Sequence, residues 1–156
     1  MAVLTIEQST AKMLYKHVPS WFQRTLEEAF GKENVIESIM DKVKTYQDAV
    51  AFADAATLQE CSIYPTDTHD IVVYKKLKLI ERVLNEGWLP DWNNTEQYKY
   101  YPYFAVSGGF DFSLSDCCAA STGTDVGSRL CFHSRDLAVY AGKQFTQLYQ
   151  YFLTIK

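Results

Sequence analysis

The hydrophobic pattern of this chain changes period, and that change limits the folds open to it. Up to about residue 86, apolar residues recur every three or four positions, as on amphipathic helices. Residues 98–133, YKYYPYFAVSGGFDFSLSDCCAASTGTDVGSRLCFH, alternate in polarity instead and are punctuated by glycine. After Ser134 the helical spacing returns. The two periods place side chains incompatibly, 3.6 per turn against strict alternation, so a small sheet is expected between helices. The expected fold is therefore α+β: a helical N-terminal half, a three-stranded antiparallel meander, and a C-terminal helix packed on the sheet. The chain has 156 residues, enough to bury a core, and suits a single domain over 1–156.

The helical signals can be placed residue by residue. Thr5 and Gln8 have the form of a capping box opening a first helix, which Pro19 breaks. Ser20 to Gln23 repeats the capping pattern. Phe22, Leu26, Ala29 and Phe30 then fall at helical spacing, and Gly31 is a natural stop. Val35, Ile36, Ile39, Met40 and Val43 predict another amphipathic helix, and Thr45 caps a further one with Tyr46, Ala49, Val50 and Ala53 inward. Residues 57–68, with Pro65, read as a loop. A long helix is expected over about 70–86, with Val73, Leu77, Ile80 and Leu84 buried and Lys75, Lys76, Lys78 and Arg82 mostly off that stripe. Ser134 caps the last helix, whose inward stripe is Leu137, Ala141, Phe145, Leu148 and Phe152.

Strand parity then defines a candidate site. If Phe104, Val106, Phe110, Phe112, Leu130 and Phe132 face the core, the opposite face carries Tyr101, Tyr103, Asp111, Ser113, Arg129, Cys131 and His133. Rings, a guanidinium, a thiol, an imidazole and a carboxylate are an uncommon mix for a purely solvated face. The connector before it adds Trp88 and Trp92. The plainer alternative is that N-terminal helices cover this face and its polar groups satisfy one another.

Composition narrows the function classes. With 47% hydrophobic and 22% charged residues the chain is globular in character, not disordered. Its net charge of −4 argues against non-specific phosphate binding, which needs clustered Lys and Arg. There is no leader-like start and no apolar run long enough to cross a membrane, so a cytoplasmic protein with reduced thiols is expected. The adjacent Cys117 and Cys118 do not suggest a disulfide framework. No P-loop, G-x-S-x-G or H-E-x-x-H motif occurs, so catalysis is not favoured and no cofactor is expected.

Four chemistries remain to be weighed on these residues. Cys131 and His133, with Cys117 or Cys118, could hold zinc, but the spacing is not that of paired C-x-x-C ligands. Cys131 could act as a nucleophile with His133 as base and Asp111 as orienter, if all three came within hydrogen-bond reach. The aromatic strands loosely resemble sheets that stack bases, but the chain is acidic and Asp111 sits where a neutral or basic residue would serve better. Trp88, Trp92, Tyr101, Tyr103 and Arg129 are the residue types enriched at protein-contact hot spots, and this is the favoured reading.

Several segments together carry a resemblance: KTYQDA at 44–49, LNEGWLPDWN at 84–93, KYYPYF at 99–104, and VGSRLCF at 126–132 running on into SRDLAVYAGKQF at 134–145. The pattern resembles a group of small uncharacterised proteins encoded by phages and prophage-like elements of gut Bacteroidetes, over about residues 5–153. The resemblance implies a phage or mobile-element setting and brings no activity or residue roles. The expected function is accordingly a phage- or prophage-associated accessory protein acting by protein–protein contact, through a partner or self-association. A nucleic-acid-binding module is the alternative, and a metal- or cysteine-dependent enzyme a more distant one.

Overall fold

In the computed structural model, which describes residues 6–104, 117–121, 123 and 129–154, the chain divides into two compact units, Met1–Lys42 and Val43–Lys156. The first unit is helical. α1 (Gln8–Tyr15) and α2 (Ser20–Phe30) form the expected helical hairpin. Thr5, the expected cap, lies outside the described residues, and Glu7 occupies the N-cap position. At α2 the cap is Pro19 and not Ser20: the Pro19 carbonyl accepts from Phe22 and Gln23 N–H, and Ser20 is already helical. Gly31 ends α2 with φ of 84°, a conformation that costs glycine little. The helix expected across 35–43 is two single turns, α3 (Lys32–Val35) and α4 (Ile39–Lys42), parted by Ile36 in an extended conformation. Local side-chain bonding explains the break. Ser38 N–H donates to Asp41 Oδ2 at 3.1 Å and Met40 N–H donates to Ser38 Oγ at 3.2 Å, closing the second turn on itself. Ala11, Leu26 and Val35 make the core of this unit, flanked by Tyr15, Phe22 and Phe30.

In the second unit everything is arranged around one helix. α5 (Tyr46–Phe52) opens with the capping box expected at Thr45: Asp48 N–H donates to Thr45 Oγ1 at 3.1 Å and Thr45 N–H to Asp48 Oδ2 at 2.8 Å. α6 (Ala55–Glu60) runs into the start of the predicted loop. Asp54 nucleates it by accepting from Thr57 N–H at 2.7 Å, a capping signal hidden among small polar residues. α7 (His69–Leu84) is the long predicted helix, and Val73, Leu77, Ile80 and Leu84 are all buried. The expectation that Lys78 lies off the buried side is corrected. Lys78, Leu79, Glu81 and Val83 are buried as well, because α5, α6 and α9 all pack on α7. Asn85 caps α7, and Glu86 and Gly87 turn the chain away with positive φ.

β1 (Lys99–Pro102) pairs antiparallel with β2 (Cys117–Ala120), Lys99 opposite Ala120 and Pro102 opposite Cys117. On its other side Tyr100 makes a single antiparallel bridge with Phe132, through N–H to carbonyl bonds of 3.0 and 2.7 Å. The fold is α+β and mostly helical, but the described residues show two strands and a bridge in place of a three-stranded meander. The predicted strand over 110–115 lies outside the described residues. Of the one expected over 128–133, the described residues keep only the contact at Phe132, and the Asn85 side chain bonds the Cys131 carbonyl and the His133 N–H on either side of it.

α8 (Arg135–Gln144), capped by Ser134, packs on β1 as expected. The single final helix is broken at Phe145, where the backbone leaves helical geometry, and α9 (Thr146–Leu153) turns back onto α7. Thr146 Oγ1 donates to the Gly142 carbonyl at 2.5 Å, and buried Phe145 holds the corner. No helix among the described residues is long and apolar enough to cross a membrane.

Candidate functional site

Of the expected site residues, Trp88 and His133 meet at a rim on the surface, and a buried polar cluster of Asn85 and Glu81, which was not expected, adjoins them. At the rim, the Trp88 ring meets the His133 ring edge-on, with centroids 6.0 Å apart. The Tyr100–Phe132 bridge brings His133 beside the start of β1, where the Tyr98 and Tyr100 ring centroids lie 6.3 Å apart. Leu89 is 62% exposed, Tyr98 56% and Tyr103 49%; His133 is also exposed, while Trp88 and Tyr101 are half-buried. Leu89, next to Trp88 in sequence, and Tyr98, just before β1, are exposed as well, and neither is among the expected site residues.

Trp92 has a different task. Its ring covers the ammonium of Lys99, with Nζ 5.0 Å from the centroid. Lys99 is fully buried and donates to the carbonyls of Asn94 at 3.0 Å and Ser121 at 3.4 Å. An odd-numbered residue of β1 is therefore enclosed, so the far face is covered at that point. Arg129 stands apart from the rim. Its guanidinium bonds the Tyr74 hydroxyl, the main cause of its raised pKa, and Tyr74 stacks on Phe152. Tyr74 lies early in α7 and Asn85 at its end, about 16 Å along the helix axis at about 1.5 Å per residue. Asp111 lies outside the described residues.

Parity holds for Phe104 and Phe132, both buried, and fails at Cys131. Leu130, Cys131 and Phe132 are all buried in succession, because this segment is not a strand and need not alternate. Burial pushes the Cys131 thiol up to about 12, with the nearby Glu81 carboxyl adding to it. A nucleophilic thiol needs the opposite shift, and the exposed His133 ring is occupied with Trp88. Cys61 is also buried with a raised thiol pKa. Among the described residues no three His, Cys, Asp or Glu side chains converge as a metal centre.

Strand parity gives no hint of the buried cluster. Asn85, 2% exposed, donates through Nδ2 to Glu81 Oε1 at 2.6 Å and to the Cys131 carbonyl at 2.8 Å. Its Oδ1 accepts the His133 N–H at 3.0 Å. One amide side chain thus ties the end of α7 to the segment that carries the rim imidazole. Glu81 is fully enclosed, and burial raises its carboxyl to about 8 against the lowering influence of Arg82 and Asn85. The sign was present in the spacing: Glu81 follows Leu77 by four and precedes Leu84 by three, which puts a carboxylate on the apolar stripe.

The lysines of α7 are occupied within the protein. Lys75 pairs with Asp67 at 2.6 Å and Lys78 with Glu60 at 2.5 Å. Lys76 lies over the Tyr46 ring. No family model matches the chain, and neither a curated protein nor a solved structure matches it.

Proposed function

We propose that this protein acts by contact with another protein, through the rim of Trp88, Leu89, Tyr98, Tyr103 and His133. In the setting that its resemblance implies, it is a phage- or prophage-associated accessory protein. The observation that carries it is a held aromatic pair beside exposed apolar side chains: Asn85 holds the His133 amide, His133 abuts Trp88, and Leu89 next to Trp88 is exposed. Rings with little freedom left to lose make economical contacts, since ordering them on binding costs little further entropy.

Nucleic-acid binding has less support. Lys99 is turned inward beneath Trp92, Lys75 and Lys78 are paired with carboxylates, and the chain carries a net charge of −4. The test is concentration-dependent sedimentation alongside partner capture, for the natural chain and for Leu89→Ser with Tyr98→Ser. The proposal expects an association, with itself or a partner, that both exposed substitutions weaken tenfold or more while the melting point is unchanged. An association indifferent to the two substitutions, or one with single-stranded DNA instead, would contradict it.

A further inference from the structure

Two adjacent residues of α7 bury complementary atoms that meet no hydrogen-bond partner among the described residues, Glu81 Oε2 and Arg82 Nε, 3.9 Å apart. Arg82 Nε is equally 3.9 Å from Glu60 Oε2 of α6. One enclosed donor thus faces two carboxylates and is bonded to neither. Buried polar atoms left in this way are rare and costly, so they mark a place where a second arrangement is close in energy. The other Glu81 oxygen is already committed, since Oε1 accepts from Asn85 at 2.6 Å. In the neutral acid the proton therefore sits on Oε2. A protonated Oε2 and a guanidinium N–H are both donors and offer each other little. Once the proton is gone, Oε2 becomes a charged acceptor beside a cation, the pairing that charge-assisted bonds favour.

We propose that Glu81 and Arg82 form a proton-operated latch: with Glu81 neutral, Arg82 is shared with Glu60, and when Glu81 gives up its proton to solvent, Arg82 Nε closes on Glu81 Oε2 and leaves Glu60. The latch bears on how α6 is held to α7, because Glu60 is the α6 residue that both Lys78 and Arg82 approach. Only the O–H bond breaks; the rest is a change of hydrogen-bond partner.

The surroundings leave Arg82 as the cation able to respond. On α7, Lys78 is already bonded to Glu60 at 2.5 Å. From α6 come Glu60 and the Cys61 thiol, with Tyr46 of α5 beside Cys61. The 130–133 segment contributes Cys131, with Lys99 of β1 within its electrostatic reach but bonded to carbonyls. Tyr149 of α9 is enclosed, its hydroxyl pKa raised by burial and by Glu81. The latch works near neutrality and above, since burial lifts the Glu81 carboxyl to about 8.

Nuclear magnetic resonance of the full chain tests this directly, following Glu81 Cδ and Arg82 Nε from about pH 5 to about pH 10. The latch predicts a Glu81 midpoint near 8, an Arg82 N–H resonance moving downfield with the same midpoint, and no such movement in Glu81→Gln. Glu81 titrating in the ordinary carboxylate range would overturn the proposal. So would an Arg82 resonance that stays still while Glu81 titrates. Both readouts come from the natural chain, so the test stands even if Glu81→Gln does not fold.

Discussion

Asn85 Oδ1 accepts the backbone N–H of His133 at 3.0 Å, across 48 residues of sequence, while the same amide group donates to Glu81 and to the Cys131 carbonyl. That one side chain bonds the backbone on both sides of Phe132, whose own N–H and carbonyl go to Tyr100. With that bridge it positions the segment whose imidazole meets Trp88. Asn85→Ala leaves a carboxyl oxygen, a carbonyl and an N–H unsatisfied in the interior. A loss of about 3 kcal/mol is expected, since each orphaned buried group costs roughly 1–3 kcal/mol and partial relaxation recovers some of it. Urea unfolding checks the value, and exchange of the His133 amide should accelerate relative to that of Leu137.

The raised carboxyl of Glu81 makes stability depend on pH in a definite direction. The folded chain keeps this proton until about pH 8, whereas the unfolded chain releases it near 4.5. The contribution is therefore complete below about pH 4.5, falls steadily through that window, and is gone above about pH 8. Its full size is at most on the order of 5 kcal/mol, because each tenfold change in proton affinity is worth about 1.4 kcal/mol. Subtracting the unfolding free energy of Glu81→Gln from that of the natural chain isolates the effect from the lowered carboxyls of Asp48, Asp54 and Asp67, which act in the opposite sense at acid pH. The difference should fall with pH between 4.5 and 8 and be flat above.

Cys61 and Cys131 should be inert in the folded protein. Both are enclosed, and burial raises both thiols, Cys131 to about 12. At about pH 8 only about one Cys131 in ten thousand would be thiolate, the reactive form. Iodoacetamide followed by peptide mapping should find both residues unlabelled in buffer and both labelled in denaturant. Rapid labelling of Cys131 in buffer would revive the nucleophile.

Trp92 is expected to be structural where Leu89 and Tyr98 are not. It roofs Lys99, whose ammonium depends on it and on the Asn94 and Ser121 carbonyls. Trp92→Ala should cost about 2–3 kcal/mol and Lys99→Met about 2 kcal/mol, with a coupling of about 1 kcal/mol in the double variant, in the range of a desolvated cation–π contact. Thermal unfolding of the four proteins supplies the cycle; additivity would show that ring and ammonium do not interact.

What the sequence made legible follows the range of the forces involved. The stripe of α7 and the caps at Thr45 and Ser134 are local signals, and each appears as expected. The turns at Ile36 and Phe145 break helices that periodicity alone would continue, because short polar side chains at Ser38 and Thr146 bond nearby backbone. Phe104 and Phe132 are buried as parity required, but Cys131 joins them because Asn85, distant in sequence, takes over its backbone. Trp88 and His133 were both among the residues proposed from the sequence. Their contact was not, since nothing local encodes a meeting between a helix exit and a segment so much later in the chain.

Most depends on the rim being a surface that another protein covers. A photo-crosslinking residue placed at Leu89 in the source cells, with the same residue at exposed Gln59 of α6 as reference, tests this in one measurement. The expected result is a discrete protein adduct from position 89, either another chain or a second copy of this one, and none from position 59. Equal adducts from both positions, or nucleic acid as the species joined at 89, would contradict it.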